Sequence, residues 1–205
     1  MFKLFNDVFK LILIIFLLFL SCKTLPRDTF PNPKNSQYRI PDSINTTLNR
    51  EFIKSRKSFA GSIKDENITI LYIALERYLK TKLHRGKSVL INYKQRGNNC
   101  FNYSYHDLVI VTGNIKRISN RISKNYAIQD FFIFSKSAYN RDVFEETGYY
   151  IEDSGFFKKN IFTIEETCDA FFLFKPNGEF LKFYGGDYFS EIKNFMEGEL
   201  VYGGD

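Results

Sequence analysis

The order of apolar and polar residues predicts alternating helices and strands between residues 65 and 198. A first helix begins at Asp65, which is suited to cap it, and ends before Gly86. This helix is predicted because apolar residues recur at intervals of three and four, at Ile68, Leu71, Tyr72, Leu75, Tyr78 and Leu79. The apolar residues 89–93 that follow predict a short strand.

A second helical pattern follows Cys100. Apolar residues are spaced alternately by three and four, at Leu108, Val111, Ile115, Ile118 and Ile122. Residues 107–113, DLVIVTG, also fit a strand ending at Gly113, because β-branched residues favour strands. The period continues past the glycine, so the helix is the favoured interpretation.

The second half of the domain contains a strong hairpin signal. Two aromatic-rich strands, residues 170–174 and 179–184, are joined by a Pro-Asn-Gly turn. Upstream of them, residues 130–134 predict a buried strand, residues 140–148 a short helix and residues 149–168 an irregular segment. After the hairpin, Asp187 is predicted to cap an amphipathic helix that ends at Gly198 and carries one apolar face: Phe189, Ile192, Phe195 and Met196.

This order of elements indicates an α/β fold. Helices between strands imply right-handed crossovers and a partly parallel sheet, while the hairpin adds an antiparallel edge. We therefore expect a mixed central sheet of about four strands, with helices on both faces. The chain between residues 65 and 205 is long enough for one domain with a core of its own.

The first residues of the chain resemble a targeting segment rather than part of the domain. Lys3 and Lys10 flank a basic start, residues 11–20 are apolar without interruption, and Ser21 and Cys22 follow. Ten apolar residues are too few to cross a bilayer, which needs about 20 in a helix. Residues 1–21 are therefore interpreted as a signal peptide.

The stretch LFLSC resembles the lipobox of bacterial lipoproteins, with Phe19 where leucine is usual. That resemblance implies that Cys22 carries lipid after cleavage and anchors the chain to a membrane without spanning it. Lys23 after the cysteine implies the outer membrane of a bacterial cell envelope. An ordinary secretory signal with an incidental cysteine remains the alternative. Residues 22–64 contain four of the five prolines and are predicted to be an extended tether.

Charge and composition exclude several function classes. The chain has a net charge of +6, but no stripe of Lys and Arg interleaved with aromatic residues supports nucleic-acid binding. Two histidines, His84 and His106, without a metal-spaced cysteine pair, make a zinc site improbable. We therefore expect no metal, no cofactor and no nucleic acid, and interpret the glutamate pairs at 145–146 and 165–166 as solvated.

Residues 65–198 resemble the thioredoxin-like superfamily, most of all in GKSVLINY before a cysteine, the helical face after it, and AFFLFKPNGEFLKFYGG before a last helix. The resemblance implies a three-layer sandwich. Three features depart from the family. Tyr103 stands where the second active-site cysteine would be, the chain has no tryptophan, and no proline precedes Ala170. The Pro and Thr that precede the peroxiredoxin cysteine are also absent, since Tyr93 and Gly97 stand there.

The resemblance implies that Cys100 and Cys168 lie in facing loops at one end of the sheet. Cys100 would start the helix after the first central strand, where the dipole favours a thiolate. The two Cα atoms should then lie within about 10 Å, or about 7 Å if bridged. A stabilising disulfide, a reactive pair and two inert thiols all remain open.

Two function classes follow for such a lipoprotein. The first is a non-catalytic module that binds or scaffolds another envelope protein or a ligand, and it is favoured because the C-x-x-C pair and the family proline are missing. The second is a thiol-disulfide oxidoreductase or peroxiredoxin-like enzyme, with Cys100 as its catalytic thiol and Cys168 as its resolving thiol.

Overall fold

A computed structural model of the chain describes residues 56–100, 103–186 and 188–198. The predicted signal peptide, the lipidation candidate Cys22 and most of the predicted tether lie outside these residues, as does the predicted helix cap Asp187. Within the described residues, no helix is long and apolar enough to cross a membrane.

Six strands and five helices follow one another along the described part of the chain. In order they are β1 Lys57–Ser62, α1 Asp65–Leu79, β2 Ser88–Lys94, α2 Tyr105–Asn125, β3 Ile128–Phe134, α3 Arg141–Glu146, β4 Tyr150–Glu152, α4 Phe156–Asn160, β5 Asp169–Phe174, β6 Glu179–Tyr184 and α5 Phe189–Glu197.

All six strands form one sheet, in the order β1-β6-β5-β2-β3-β4. β2 pairs in parallel with β3, and β3 with β4, whereas the pairs β2–β5, β5–β6 and β6–β1 are antiparallel. The sequence-based expectation of an α/β fold with a mixed sheet is confirmed. The parallel pairing of the first two predicted strands and the antiparallel hairpin are confirmed as well.

The expected number of about four strands is wrong, because two edge strands were not predicted. β1 lies within residues 22–64, the segment predicted as a tether, so the end of that segment belongs to the sheet. β4 is only three residues long and lies in the segment 149–168, predicted as irregular. Most of β1 is exposed, so its sequence lacks the apolar alternation that marks an inner strand.

α1 differs from its prediction at both ends. Lys64 is the N-cap residue, and Asp65 lies in the first turn instead of capping the helix. The helix ends at Leu79 rather than near Gly86, because Lys80 adopts the left-handed conformation, with φ 53°. Its backbone N–H then donates to the carbonyl of Glu76, which closes the last turn.

Residues 107–113 lie in α2, so the helical interpretation is correct and the strand interpretation is wrong. The buried face of this helix differs from the predicted apolar one: Leu108, Thr112, Ser119 and Ser123 are buried, whereas Val111, Ile115, Ile118 and Ile122 are half-buried. The small hydroxyl residues lie where the helix faces the sheet, and the larger apolar residues pack along its sides.

Alternating residues of the inner strands give the sheet an apolar core on each face. In β2, Val89, Ile91 and Tyr93 contact one cluster, together with Leu75 of α1, and Leu90 contacts the other. Ile192 and Phe195 of α5 join the second cluster. Helices therefore cover both faces, and the loops at the end of β2 and the start of β5 meet at one end of the sheet.

Candidate functional site

Cys100 and Cys168 form a disulfide, with their Cα atoms 5.1 Å apart across 68 residues of sequence. Cys168 lies directly before β5, and Cys100 lies in the loop after β2. The two strands are antiparallel neighbours, and Lys94 at the end of β2 pairs with Asp169 at the start of β5. This register brings the two loops together and satisfies the expected separation for a bridged pair.

The environment of Cys100 differs from the one that the thioredoxin resemblance implies. Its side chain is completely buried, with 0% exposed. α2 begins at Tyr105, and its N-cap is Ser104, whose Oγ accepts from the N–H of Asp107 at 3.1 Å. Cys100 therefore lies ahead of the helix rather than at its start, and the expectation that the helix terminus activates its thiol is not met.

Backbone hydrogen bonds hold the two cysteine loops side by side, and residues 95–100 and 164–168 are called the paired loops. The N–H of Gln95 donates to the carbonyl of Cys168 at 2.9 Å. The N–H groups of Asn98 and Asn99 donate to the carbonyls of Glu165 and Glu166, at 3.2 and 2.6 Å. The disulfide thus joins loops that are already hydrogen-bonded along their length.

Gln95 adds side-chain hydrogen bonds across the paired loops. Its side chain is buried, and its Nε2 donates to the carbonyl of Ile164 at 2.6 Å and to that of Thr167 at 2.8 Å. Gly97 permits the close approach, since a Cβ at this position would lie 2.5 Å from the carbonyl carbon of Thr167. The sequence predicts no role for Gln95 and marks Gly97 only as a departure from a family motif, because the contacts of both residues depend on the second loop.

A small cavity of about 30 Å³ lies beside the disulfide. Its lining is Lys94, Gln95, Tyr103, Leu108, Tyr139, Phe144, Cys168 and Asp169. A water needs roughly 10–15 Å³ by the same measure, so this cavity has room for one or two waters. Small-molecule sites are about ten times larger or more, so the cavity has no room for a substrate.

The charged groups at this cavity neutralise each other. Lys94 Nζ donates to Asp169 Oδ1, and only 9% of the lysine side chain and 21% of the aspartate side chain are exposed. Burial, with a smaller contribution from Asp169, raises the pKa of the Tyr103 hydroxyl. A free cation beside Cys168 would favour its thiolate, but Lys94 already has a carboxylate partner.

A second buried polar group lies between α2 and the sheet. Asn92 Nδ2 donates to Asp130 Oδ1 at 2.6 Å, and the Tyr188 hydroxyl donates to Asn92 Oδ1 at 2.7 Å. Ser119 and Ser123 approach the carboxyl from α2, but their hydroxyls and Asp130 Oδ2 complete no hydrogen bond within the described residues. Burial raises the pKa of Asp130 to about 6 despite these polar neighbours. No pattern in the sequence predicts this cluster, because Asp130 begins a segment with the pattern of an apolar strand.

The other candidate residues are not brought together. His84 and His106 are exposed, and no group of metal-ligating side chains occurs among the described residues. Of the glutamates, Glu145 pairs with Arg141 and Glu165 with Lys158. These carboxylates belong to separate ion pairs and form no acid-base site.

Comparison with protein-family models, with curated proteins and with solved structures found no match to this chain.

Proposed function

We propose that this chain is a lipid-anchored lipoprotein of the bacterial cell envelope whose thioredoxin-like domain is a non-catalytic binding or scaffold module. The observation that carries the non-catalytic part of this proposal is the disulfide, with Cys100 fully buried, between two loops that share backbone hydrogen bonds. This disulfide has the surroundings of a structural bridge. The lipid anchor rests on the stretch LFLSC. The partner is another envelope protein or a ligand of the envelope.

Four features support the thioredoxin-like part of the proposal. β2 and β3 are parallel, β5 and β6 form an antiparallel hairpin, and helix α5 follows the hairpin. The cysteines of the two facing loops lie at one end of this sheet. Tyr103 in place of a second loop cysteine, the lack of tryptophan and the absence of a proline before Ala170 remain departures from that family.

The lack of access to sulfur supports a non-catalytic role. Thiol-disulfide exchange requires a thiolate to attack one sulfur in line with the bond that breaks. Cys100 is 0% exposed, and the adjoining cavity of about 30 Å³ admits only water. A protein substrate would have to separate the paired loops before it reached this sulfur.

One observation favours the alternative function, thiol-disulfide exchange. Cys168 is only half-buried and lines the cavity, so its sulfur is the nearer of the two to solvent. In such an enzyme one thiolate of a substrate dithiol would attack Cys168, form a mixed disulfide with it and release Cys100 as a thiolate. The second thiolate of the substrate would then attack the substrate sulfur of the mixed disulfide and release Cys168, so that the substrate leaves as a disulfide and the protein is left with two thiols. The roles of the two cysteines would then be the reverse of those expected from the sequence.

Turnover assays distinguish these functions. We expect the purified protein not to accelerate the reduction of insulin by dithiothreitol, nor the removal of peroxide, because Cys100 is fully buried and the cavity beside Cys168 has no room for a substrate. The matched control is the double variant Cys100→Ala/Cys168→Ala. A rate above that of dithiothreitol alone which disappears in this variant would establish the oxidoreductase instead.

The lipid anchor has its own test. Changing Cys22→Ala should prevent palmitate incorporation in bacterial cells and move the protein out of the detergent phase, because the acceptor thiol is gone. The Cys100→Ala/Cys168→Ala variant serves as the control, since it retains Cys22 and should still be labelled. Unchanged labelling of the Cys22→Ala variant would contradict the lipoprotein proposal, and it would leave the structural role of the disulfide unaffected.

A further inference from the structure

The outward face of helix α1 carries two exposed isoleucines that the fold does not use. Ile70 is 63% exposed and Ile73 is 52% exposed, and they are the most exposed large apolar side chains among the described residues. The opposite face of the same helix is buried against the sheet through Tyr72, Leu75 and Leu79. The domain core therefore accounts for only one of the two apolar faces of α1.

Unpaired charges of opposite sign lie on either side of these isoleucines. Glu66 precedes Ile70 by four residues, and Arg77 follows Ile73 by four. Both charged residues are exposed, and neither forms an ion pair with another described residue. Residues four apart on a helix lie on the same face. Along the helix, the outward face therefore carries an acidic residue, two apolar residues and a basic residue.

The spacing of the four residues on this face is the same whether it is counted from residue 66 or from residue 77. Residues 66, 70, 73 and 77 are separated by four, three and four positions, which is the spacing of a helix-pairing seam. If a second copy of α1 lies antiparallel across a two-fold axis between residues 70 and 73, each isoleucine meets the other isoleucine. Each glutamate then meets an arginine, and the two helix dipoles are antiparallel, which is a favourable arrangement.

We propose that α1 is a homodimer interface, in which two copies of this chain pack their outward α1 faces antiparallel. Ile70 contacts the partner's Ile73, and Glu66 pairs with the partner's Arg77. Ile73 and Arg77 also border an open groove of about 500 Å³ at the end of the helix, which would receive the partner's first turn. Asp65 and Glu66 in that first turn complement Lys80 of the groove, whereas Lys82 of the groove already pairs with Glu76.

The charge pattern favours a second copy over a membrane surface. An anionic bilayer would attract Arg77 and Lys80 but would repel Asp65 and Glu66 at the other end of the helix. A second copy satisfies both ends at once. The interface is limited to one pair of helices about 22 Å long, so we expect a dimer that dissociates on dilution.

Charge reversal tests the pairing directly, using the full chain in detergent and analytical ultracentrifugation over a concentration series. Glu66→Arg and Arg77→Glu should each weaken the homodimer at least about tenfold, because like charges then face each other. Mixing the two variants should restore dimers, since in the mixed dimer both ion pairs are complementary again. The double variant Glu66→Arg/Arg77→Glu should also dimerise, because the two ion pairs between the copies are then only reversed in sign. Positions 66 and 77 are too far apart to pair within one helix instead.

The apolar contact has a matched control. Ile70→Ser/Ile73→Ser should abolish the dimer, whereas Ile110→Ser should not, although Ile110 is 50% exposed on a different helix. All of these changes are at exposed positions, and circular dichroism will show that the variants remain folded. A wild-type chain that stays monomeric, or variants whose mixture stays monomeric, would overturn the proposal. Binding of monomers to anionic vesicles through this face, with no dimer, would overturn it in favour of a membrane surface.

Discussion

We expect the double variant Cys100→Ala/Cys168→Ala to unfold with a free energy about 4 kcal/mol lower than that of the wild type. The disulfide closes a loop of 68 residues, and the loss of chain entropy in the unfolded state favours the folded form by about that amount. The folded state accommodates the bridge without separating the paired loops, because backbone hydrogen bonds already hold them together. A loss of this size is a large part of the stability of a typical domain.

Chemical denaturation of the two proteins, monitored by far-ultraviolet circular dichroism, measures this difference. Wild-type protein treated with reductant is the matched control, and it should unfold at nearly the same denaturant concentration as the double variant. A difference below about 1 kcal/mol would mean that the hydrogen bonds of the paired loops suffice without the bridge. It would also remove the main support for a structural disulfide.

We expect Asp130→Asn to stabilise the protein at pH 8 by about 1–3 kcal/mol and to have little effect near pH 4. Burial raises the pKa of this carboxyl from its ordinary value of 3.8 to about 6. A shift of that size corresponds to at most about 3 kcal/mol. The substituted amide is uncharged and retains an oxygen that can accept the hydrogen bond from Asn92.

The sign of this effect follows from proton binding. Between pH 3.8 and about 6 the folded protein holds the Asp130 proton while the unfolded chain has released it. The contribution of this group to stability therefore falls as pH rises through that range and is constant above about pH 7. The difference in unfolding free energy between variant and wild type should grow over the same interval.

Denaturation curves from pH 4 to pH 8 measure this growth. Asp65→Asn is the matched control, because Asp65 is exposed in the first turn of α1. A difference between Asp130→Asn and wild type that does not change with pH would show that Asp130 is not a buried ionising group.

Much of the fold could be predicted from local patterns. The hairpin of residues 170–174 and 179–184 was correct because its turn residues and apolar strands all lie within one short segment. α2 was correctly predicted as a helix because a period of three and four persisted over five apolar residues. β1 and β4 were missed because edge strands are exposed or short, and their pairing depends on a neighbouring strand that is distant in sequence.

The candidate site was less predictable than the fold. The sequence alone identified Cys100 and Cys168 as the two thiols of the domain, since spacing and composition offered no metal or acid-base group. It also determined the apolar face of α5, the hairpin turn and the alternation that places apolar residues on both sides of β2. These features are local, because a periodic pattern or a turn needs no information from the rest of the chain.

Only the tertiary structure decided how deep each residue lies and what it touches. Cys100 proved fully buried ahead of α2, Gly97 proved necessary for contact with Thr167, and Asp130 proved half-buried with its Oδ2 atom enclosed. The predicted apolar face of α1 did not include Ile70 and Ile73, but only the structure showed that the sheet covers that one face and leaves these two side chains exposed. Burial is a property of the segments that meet in space, so a pattern along one segment predicts which residues share a face but not which face is covered.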